Sequence, residues 1–164
     1  MNFDGVLGIV LNEKKEILLV KRRDVPLWTL PGGNIKEKEY PIQAIKRELT
    51  EETNFKINVS YLAGFGKRKD IEHKKRKGDY LCAFFTCQKI SGNFFPNEEI
   101  TAIKFFKKNM LPRAMLQWHK KIIKNFNSSQ KKKININMNF REELISLIFH
   151  PLILLRFLIW RLLN

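Results

Sequence analysis

The strongest constraint on the fold is a glutamate-rich helix predicted from Pro41 to Thr53. Proline is favoured in the first turn of a helix. Ile42, Ile45 and Leu49 recur at spacings of three and four, which puts them on one apolar stripe. Asn54 follows directly, and asparagine tolerates the left-handed conformation that often ends a helix. The segment is therefore predicted to be an amphipathic helix that stops at Asn54.

Three carboxylates crowd this helix beside its apolar stripe. Glu51 and Glu52 follow Glu48 by three and four residues and so share a face with it, where like charges destabilise a helix by roughly 0.2–0.5 kcal/mol per pair. One interpretation is a solvated acidic face that pairs with Lys46 and Arg47. The other is a metal site, because oxygen ligands of this kind suit magnesium or manganese and a bound cation removes the repulsion.

The spacing around the helix decides between these interpretations. Read from Gly33, it is glycine, five residues, glutamate, seven residues, arginine-glutamate-aliphatic, any residue and two glutamates. This pattern resembles the signature of the Nudix hydrolase superfamily, with Asn54 at its late glycine and Phe55 at its final aliphatic position. The segment from Trp28 to Gly33 also resembles the family's lead-in. The matching residues are Gly33, Glu39, Arg47, Glu48, Leu49, Glu51 and Glu52.

The resemblance covers roughly Met1 to Phe126 and implies both a fold and a reaction. The implied fold is α/β (α+β), a mixed β-sheet sandwiched between helices. The implied activity is that of a hydrolase that depends on Mg²⁺, with Mn²⁺ as the alternative ion, and acts on a small nucleotide. It would cleave the pyrophosphate bond of a nucleoside diphosphate linked to another moiety. An alternative from another class is a non-catalytic nucleotide-sensing or RNA-binding module on the same fold.

The resemblance also assigns roles to individual residues. Arg47 would orient the glutamates through charged hydrogen bonds, and Glu39 would bind or orient at the start of the helix. The general base stays open between Glu48 or Glu52 and two residues of a later loop, Glu98 and Glu99. The metal ligands that the resemblance implies are Glu48, Glu51, Glu52 and the backbone carbonyl of Gly32.

Residues outside the signature are candidates for contacting the substrate. Trp28 is either a base-stacking residue or part of the core. Arg22, Arg23 and the basic loop Lys67–Lys77 are either phosphate contacts or solvated surface. The net charge of +15 favours polyanionic partners, and the basic loop raises RNA 5′-end pyrophosphate removal as a second substrate hypothesis. The loop lacks the interleaved aromatic residues on which bases stack, so it indicates nucleic acid only weakly.

The remaining elements follow from hydrophobic patterning. Cys82 and Cys87 lie five residues apart in one strand-like run, so they should point to opposite faces and form neither a disulfide nor a metal pair. Residues 111–126 are predicted to form a helix. The predicted strands are Gly5–Leu11 and Glu16–Lys21, which form a hairpin, followed by Phe55–Phe65, Tyr80–Gln88 and Ile100–Phe106.

The C-terminal part differs in character from the rest of the chain. We predict a Nudix hydrolase domain at 1–127, a polar and basic linker at 128–143 and a hydrophobic C-terminal helix at 144–164. This last segment is long enough to span a bilayer, but Arg156 interrupts it. Membrane association, self-association and docking on the domain therefore stay open. The lack of a signal-peptide pattern at the N-terminus predicts a cytoplasmic protein.

Overall fold

The computed structural model describes residues 2–69, 79–128 and 133–138, together with residue 155. Within these residues the chain forms a large mixed sheet and two longer helices. In chain order the elements are β1 (Gly5–Leu11), β2 (Ile17–Arg22), β3 (Trp28–Thr29), β4 (Gly32–Asn34), α1 (Pro41–Thr53), β5 (Lys56–Lys69), β6 (Asp79–Ser91), β7 (Ile100–Phe106), α2 (Gln117–Asn125) and β8 (Ile134–Met138).

The sheet is centred on a parallel pair, β1 and β6, with register from Gly5 opposite Cys82 to Leu11 opposite Gln88. The main path runs β3-β2-β1-β6-β5-β8, while β4 pairs with β1 and β7 pairs with β2. A parallel pair needs a crossover connection, and α1 lies within the one that links β1 to β6. The expected mixed sheet between helices is confirmed.

Alternating side chains of the central strands build two core layers, one on each face of the sheet. Ile9 and Phe84 belong to the layer that contains Ile122 and Ile123 of α2. The opposite layer contains Ile45 and Leu49 of α1. The two cysteines follow the same alternation: both are buried and free, Cys82 in the first layer and Cys87 in the second, as predicted.

Helix α1 has the predicted bounds and ends as predicted. Asn54 adopts the left-handed conformation at φ 57°, and its backbone N–H donates to the carbonyl of Thr50. The predicted apolar stripe is confirmed at Ile45 and Leu49 but wrong at Ile42, which is 51% exposed. The buried face instead continues through Leu49 to Glu52, so it carries a carboxylate towards the sheet.

Among the other predicted elements, one is confirmed and two need correction. The predicted hairpin is confirmed by the antiparallel pairing of β1 and β2. Helix α2 is shorter than predicted, because Met115 forms a parallel bridge with Trp28 and the helix begins only at Gln117. The segment assigned to the linker contains β8, whose buried Ile134 and Ile136 alternate with exposed asparagines and add a parallel strand beside β5.

The remaining predictions fall mostly outside the described residues. These are the central part of the basic loop, 70–78, and the hydrophobic segment 144–164 apart from residue 155. Within the part of the chain that the structure describes, no helix has the length and apolar character needed to cross a membrane.

Candidate active site

Strand β4 brings the backbone of two glycines between β1 and the carboxylates of α1. Gly32 has φ 140°, and a Cβ there would lie 2.2 Å from the carbonyl oxygen of Val6. A Cβ on Gly33 would lie 2.7 Å from the carboxylate of Glu48. Only glycine combines this conformation with this approach. Gly32 and Gly33 therefore let the helix carboxylates lie directly against the sheet.

Glu52 is the most unusual carboxylate of the site because it is only 4% exposed. Its Oε2 accepts a hydrogen bond of 2.8 Å from the backbone N–H of Gly32. Burial raises the pKa of Glu52 to about 8, and the negative charges of Glu48 and Glu99 act in the same direction. A carboxylate in this environment is costly to ionise unless a cation lies beside it.

Arg47 organises the other carboxylates. Its guanidinium donates to both carboxylate oxygens of Glu39 at 2.8 and 2.9 Å, to Glu48 Oε1 at 2.8 Å and to Glu51 Oε2 at 2.9 Å. It also donates to the backbone carbonyl of Asn34 at 3.0 Å. The hydrogen bonds from Arg47 lower the pKa of Glu39 to about 2. One arginine thus holds three glutamates and ties α1 to the end of β4.

The glutamates divide into two groups. Glu51 turns towards Arg47 and Lys36, and its side chain is 53% exposed. Glu48 and Glu52 instead face the two glycines, and burial also raises the pKa of Glu48. Among residues 2–69, 79–128 and 133–138, no three acidic, histidine or cysteine side chains form a metal cluster. Two partly desolvated carboxylates still provide the donor chemistry that a hard divalent cation prefers.

A loop before β7 places Glu99 near this pair. Asn97 Oδ1 accepts from the backbone N–H groups of Glu99 and Ile100 at 3.0 and 2.7 Å. Its Nδ2 donates to the backbone carbonyl of Glu51 at 3.0 Å. Glu98 and Glu99 are both exposed, but the charge of Glu99 is the one that reaches Glu48 and Glu52. The loop is thereby fastened to the end of α1.

Two of the predicted substrate contacts have structural partners instead. The guanidinium of Arg23 donates twice to the backbone carbonyl of Asn97, at 3.1 and 2.8 Å. Trp28 packs edge-on against Phe106, with ring centroids 5.1 Å apart, rather than lining the cleft next to the glycines. Arg22 does line that cleft and is held by two hydrogen bonds to Asp24, at 2.9 and 2.6 Å.

Sequence reasoning missed the other residues of the cleft. Trp118 and His119 of α2 reach it together with Tyr80 of β6. No local spacing marks these residues, because His119 meets its partner Leu30 across 89 positions of the chain. The predicted helix at 111–126 was the available signal, and it did not show that the helix begins beside the Gly32–Gly33 turn.

Comparison with known proteins finds relatives over the same residues. A family model described as the NUDIX domain matches residues 1–126. A candidate 8-oxo-dGTP diphosphatase of Bacillus subtilis (strain 168) is 33% identical over 126 residues, which are 77% of this chain and 80% of that protein. An ADP-ribose pyrophosphatase of Methanocaldococcus jannaschii is 31% identical over 125 residues, covering 74% of this chain and 71% of that protein.

Solved structures show the same likeness of fold. The crystal structure of a UDP-X diphosphatase aligns with a TM-score of 0.65 at 22% identity. The alignment covers 83% of this chain and 68% of that one. At this level of identity the likeness concerns the arrangement of strands and helices alone.

Proposed function

The chain belongs to the Nudix family of hydrolases, which act on acid anhydrides, and from that premise we propose a metal-dependent nucleotide pyrophosphohydrolase. The substrate class is a nucleoside diphosphate linked to another moiety. The observation that carries this proposal is the buried pair of carboxylates beside a glycine turn, with Glu52 only 4% exposed and bonded to Gly32. Such a pair is stable as an ionised site only when a cation is present.

In this proposal Glu48 and Glu52 hold the metal, Mg²⁺ or Mn²⁺. The ion would neutralise phosphate oxygens and lower the pKa of the attacking water when it is bound. Glu51 lies on the solvent side of Arg47, so we assign it to the second layer of the site rather than to the ion itself. The role predicted for the carbonyl of Gly32 stays a prediction, because it is the N–H group of Gly32 that contacts Glu52.

Arg47 is proposed to orient the metal-binding carboxylates. Its contact with Glu48 leaves the second oxygen of that carboxylate directed away from the guanidinium. Glu39 accepts two of the hydrogen bonds of Arg47, and we call Arg47, Glu39 and Glu48 together the clamp. The clamp fixes the rotamer of Glu48 before the substrate arrives, which is how a metal site is kept in its productive geometry.

We propose Glu99 as the general base. It is exposed to the solvent that supplies the attacking water, and its charge reaches both Glu48 and Glu52. Asn97 holds the backbone of Glu99 against α1, so the carboxylate is presented from a braced loop. Glu98, on the same loop, is not among the charges that act on the buried pair.

The names of the relatives support the breadth of the substrate class. One names 8-oxo-dGTP and the other ADP-ribose, which are both a nucleoside diphosphate that carries a further group. The shared element is the pyrophosphate link, and the acidic site described above addresses that element alone. The attached group and the base are therefore decided outside the signature.

The test is hydrolysis of a panel containing nucleoside triphosphates, ADP-ribose, nucleotide sugars, dinucleotides and triphosphorylated RNA, with Mg²⁺ or Mn²⁺ and with chelator. We expect Glu52→Gln to lower kcat/KM by about 100-fold or more, since it removes a proposed metal ligand. The exposed Glu37→Gln is the matched control and should behave as the wild type. Turnover that survives chelation, or that Glu52→Gln leaves unchanged, would overturn the mechanism.

A further inference from the structure

A cleft of about 500 Å³ opens beside the Gly32–Gly33 turn. Its size lies in the range of small-molecule sites, roughly 300–1,000 Å³. The walls are mainly apolar and include the aromatic side chains of Trp118 and Tyr80. Because the same glycines contact Glu48 and Glu52, a molecule in the cleft would lie next to the acidic site.

His119 is the buried polar residue of this cleft, with 3% of its surface exposed. Its Nδ1 accepts a hydrogen bond of 2.8 Å from the backbone N–H of Leu30. An imidazole nitrogen that accepts carries no proton, so the proton of the neutral ring must lie on Nε2. Burial lowers the pKa of His119 to about 3, and the nearby positive charge of Arg22 contributes in the same direction. The ring is therefore a neutral residue with one fixed tautomer.

The Nε2–H group of His119 has no hydrogen-bond partner among the residues that the structure describes. Among the described residues, Thr86 Oγ1 is the one side-chain nitrogen or oxygen that is fully buried and without a hydrogen bond. His119 Nε2 is therefore not completely enclosed. Since His119 lines the cleft, this donor is available to a ligand there. The ring of Trp118 packs edge-to-face on His119, with centroids 3.8 Å apart, and fixes the plane of the imidazole.

Asn34 offers a second donor at the rim of the same cleft. The hydroxyl of Tyr80 donates to Asn34 Oδ1 at 2.7 Å, which turns the amide nitrogen away from Tyr80. The backbone carbonyl of Asn34 already accepts from Arg47. The position of this side chain is thus set from two directions, by the acidic site and by the cleft wall.

We propose that this cleft is the base-binding subsite and that it selects a keto base, whose ring carbonyl accepts the hydrogen bond of His119 Nε2–H. The proposal rests on the proposed function, since it names the base of that substrate. A base with an exocyclic amino group in the same place would set two N–H donors against each other. It would also leave a buried donor unpaired, which is the condition under which a polar site discriminates strongly.

The first experiment is calorimetric binding of inosine 5′-monophosphate and adenosine 5′-monophosphate to the wild-type protein. The two ligands differ at position 6 of the purine, a carbonyl in the first and an amino group in the second. We expect inosine 5′-monophosphate to bind at least about tenfold more tightly. Equal affinity, or tighter binding of the adenosine ligand, overturns the proposal whatever the variants do.

Two substitutions separate the donor in the cleft from the structural hydrogen bond of His119. In His119→Asn the amide oxygen can take the place of Nδ1 and keep the bond from Leu30, but no donor reaches the position of Nε2. In His119→Gln the amide nitrogen can reach the position of Nε2, while the bond from Leu30 is lost. We expect His119→Asn to abolish the preference for the keto base and His119→Gln to retain most of it.

A purely structural role of His119 predicts the opposite ranking, because only His119→Asn keeps the internal bond. Thermal unfolding of both variants shows whether the fold is intact. If either variant does not fold, the affinities of the wild-type protein for the two ligands still test the preference for a keto base. Binding of monophosphates requires no turnover, so an inactive protein that prefers inosine 5′-monophosphate would refute the proposed hydrolysis and leave the subsite standing. An active enzyme without that preference would support the proposed hydrolysis and refute the subsite.

Discussion

The acidic site and the cleft beside it meet at the same two glycines but are built in different ways. The glycines and helix carboxylates of the acidic site come from one stretch of the chain: Gly32 and Glu52, which are hydrogen-bonded, lie 20 residues apart. The cleft joins remote segments, with Leu30 and His119 separated by 89 residues and Asn34 and Tyr80 by 46. The proposed metal site therefore comes from one stretch of sequence, whereas the cleft depends on how the sheet and α2 assemble.

The two regions also differ in charge. Three charged side chains, those of Glu39, Glu48 and Glu51, converge on Arg47, and burial raises the pKa of Glu52. The cleft instead presents a neutral histidine, an amide and aromatic walls, with Arg22 paired to Asp24 at its edge. In the two proposals above, the metal and pyrophosphate belong to the first region and the base belongs to the second. Each experiment below should affect one region and spare the other.

Arg47→Lys should have the largest effect, and it should be confined to the acidic site. A lysine cannot reproduce the five hydrogen bonds of the guanidinium to Glu39, Glu48, Glu51 and Asn34. We expect kcat/KM to fall by about 100-fold while the affinity for inosine 5′-monophosphate stays within about twofold. The exposed Arg113→Lys is the control. An equal loss of base affinity would mean that the two regions are not separate.

Trp118→Ala should have the converse effect. Removal of an aromatic wall costs about 1–3 kcal/mol of base binding, so we expect the affinity for inosine 5′-monophosphate to fall by about tenfold. Trp28→Phe is the matched control, because Trp28 packs on Phe106 away from the cleft. Calorimetry measures both variants. A loss of affinity in the Trp28 variant, with none in the Trp118 variant, would restore Trp28 as the base-stacking residue.

Asn97→Ala should act on the reaction and not on the base. The substitution removes the bonds that fasten Glu99 to α1, so we expect kcat to fall by about fivefold with little change in KM. In combination with Glu99→Gln it should add almost nothing, because both changes act through the same carboxylate. Full additivity of the two effects would separate Asn97 from Glu99.

The smallest effect is a pH dependence of stability in the metal-free protein. The pKa of Glu52 is raised to about 8 by burial, so the folded state binds more protons than the unfolded chain between about pH 4.5 and 8. Its contribution is present at lower pH and is lost as the pH rises through about 8. Urea unfolding in chelator should show this decline, and Glu52→Gln should flatten it. Glu39, with a pKa of about 2, acts only below that window.

The elements that could be predicted are those whose signals are local. The start of α1 at Pro41, its end at Asn54 and the opposite facing of Cys82 and Cys87 all follow from neighbouring residues. The errors arise where a distant segment intervened. Residues 111–116 have helical patterning, but Met115 pairs with Trp28 and α2 begins only at Gln117.

Strand β8 shows the same limit. Residues 134–138 alternate isoleucine with polar residues in a stretch whose flanks read as linker. Their pairing with β5 becomes visible only when the edge of the sheet is known. A strand this short is difficult to predict from its own residues, because its stability comes from the neighbouring strand.

The sequence by itself determined which glutamates share a face of α1, because the period of a helix fixes that arrangement, and it showed two glycines ahead of the helix. Only the tertiary structure decided that Glu52 is buried while Glu51 is turned out to Arg47 and solvent. It likewise decided that Trp118, and not Trp28, reaches the cleft, and that Leu30 sets the tautomer of His119. Burial and hydrogen-bond partners depend on contacts between remote segments, and local patterning carries no record of those contacts.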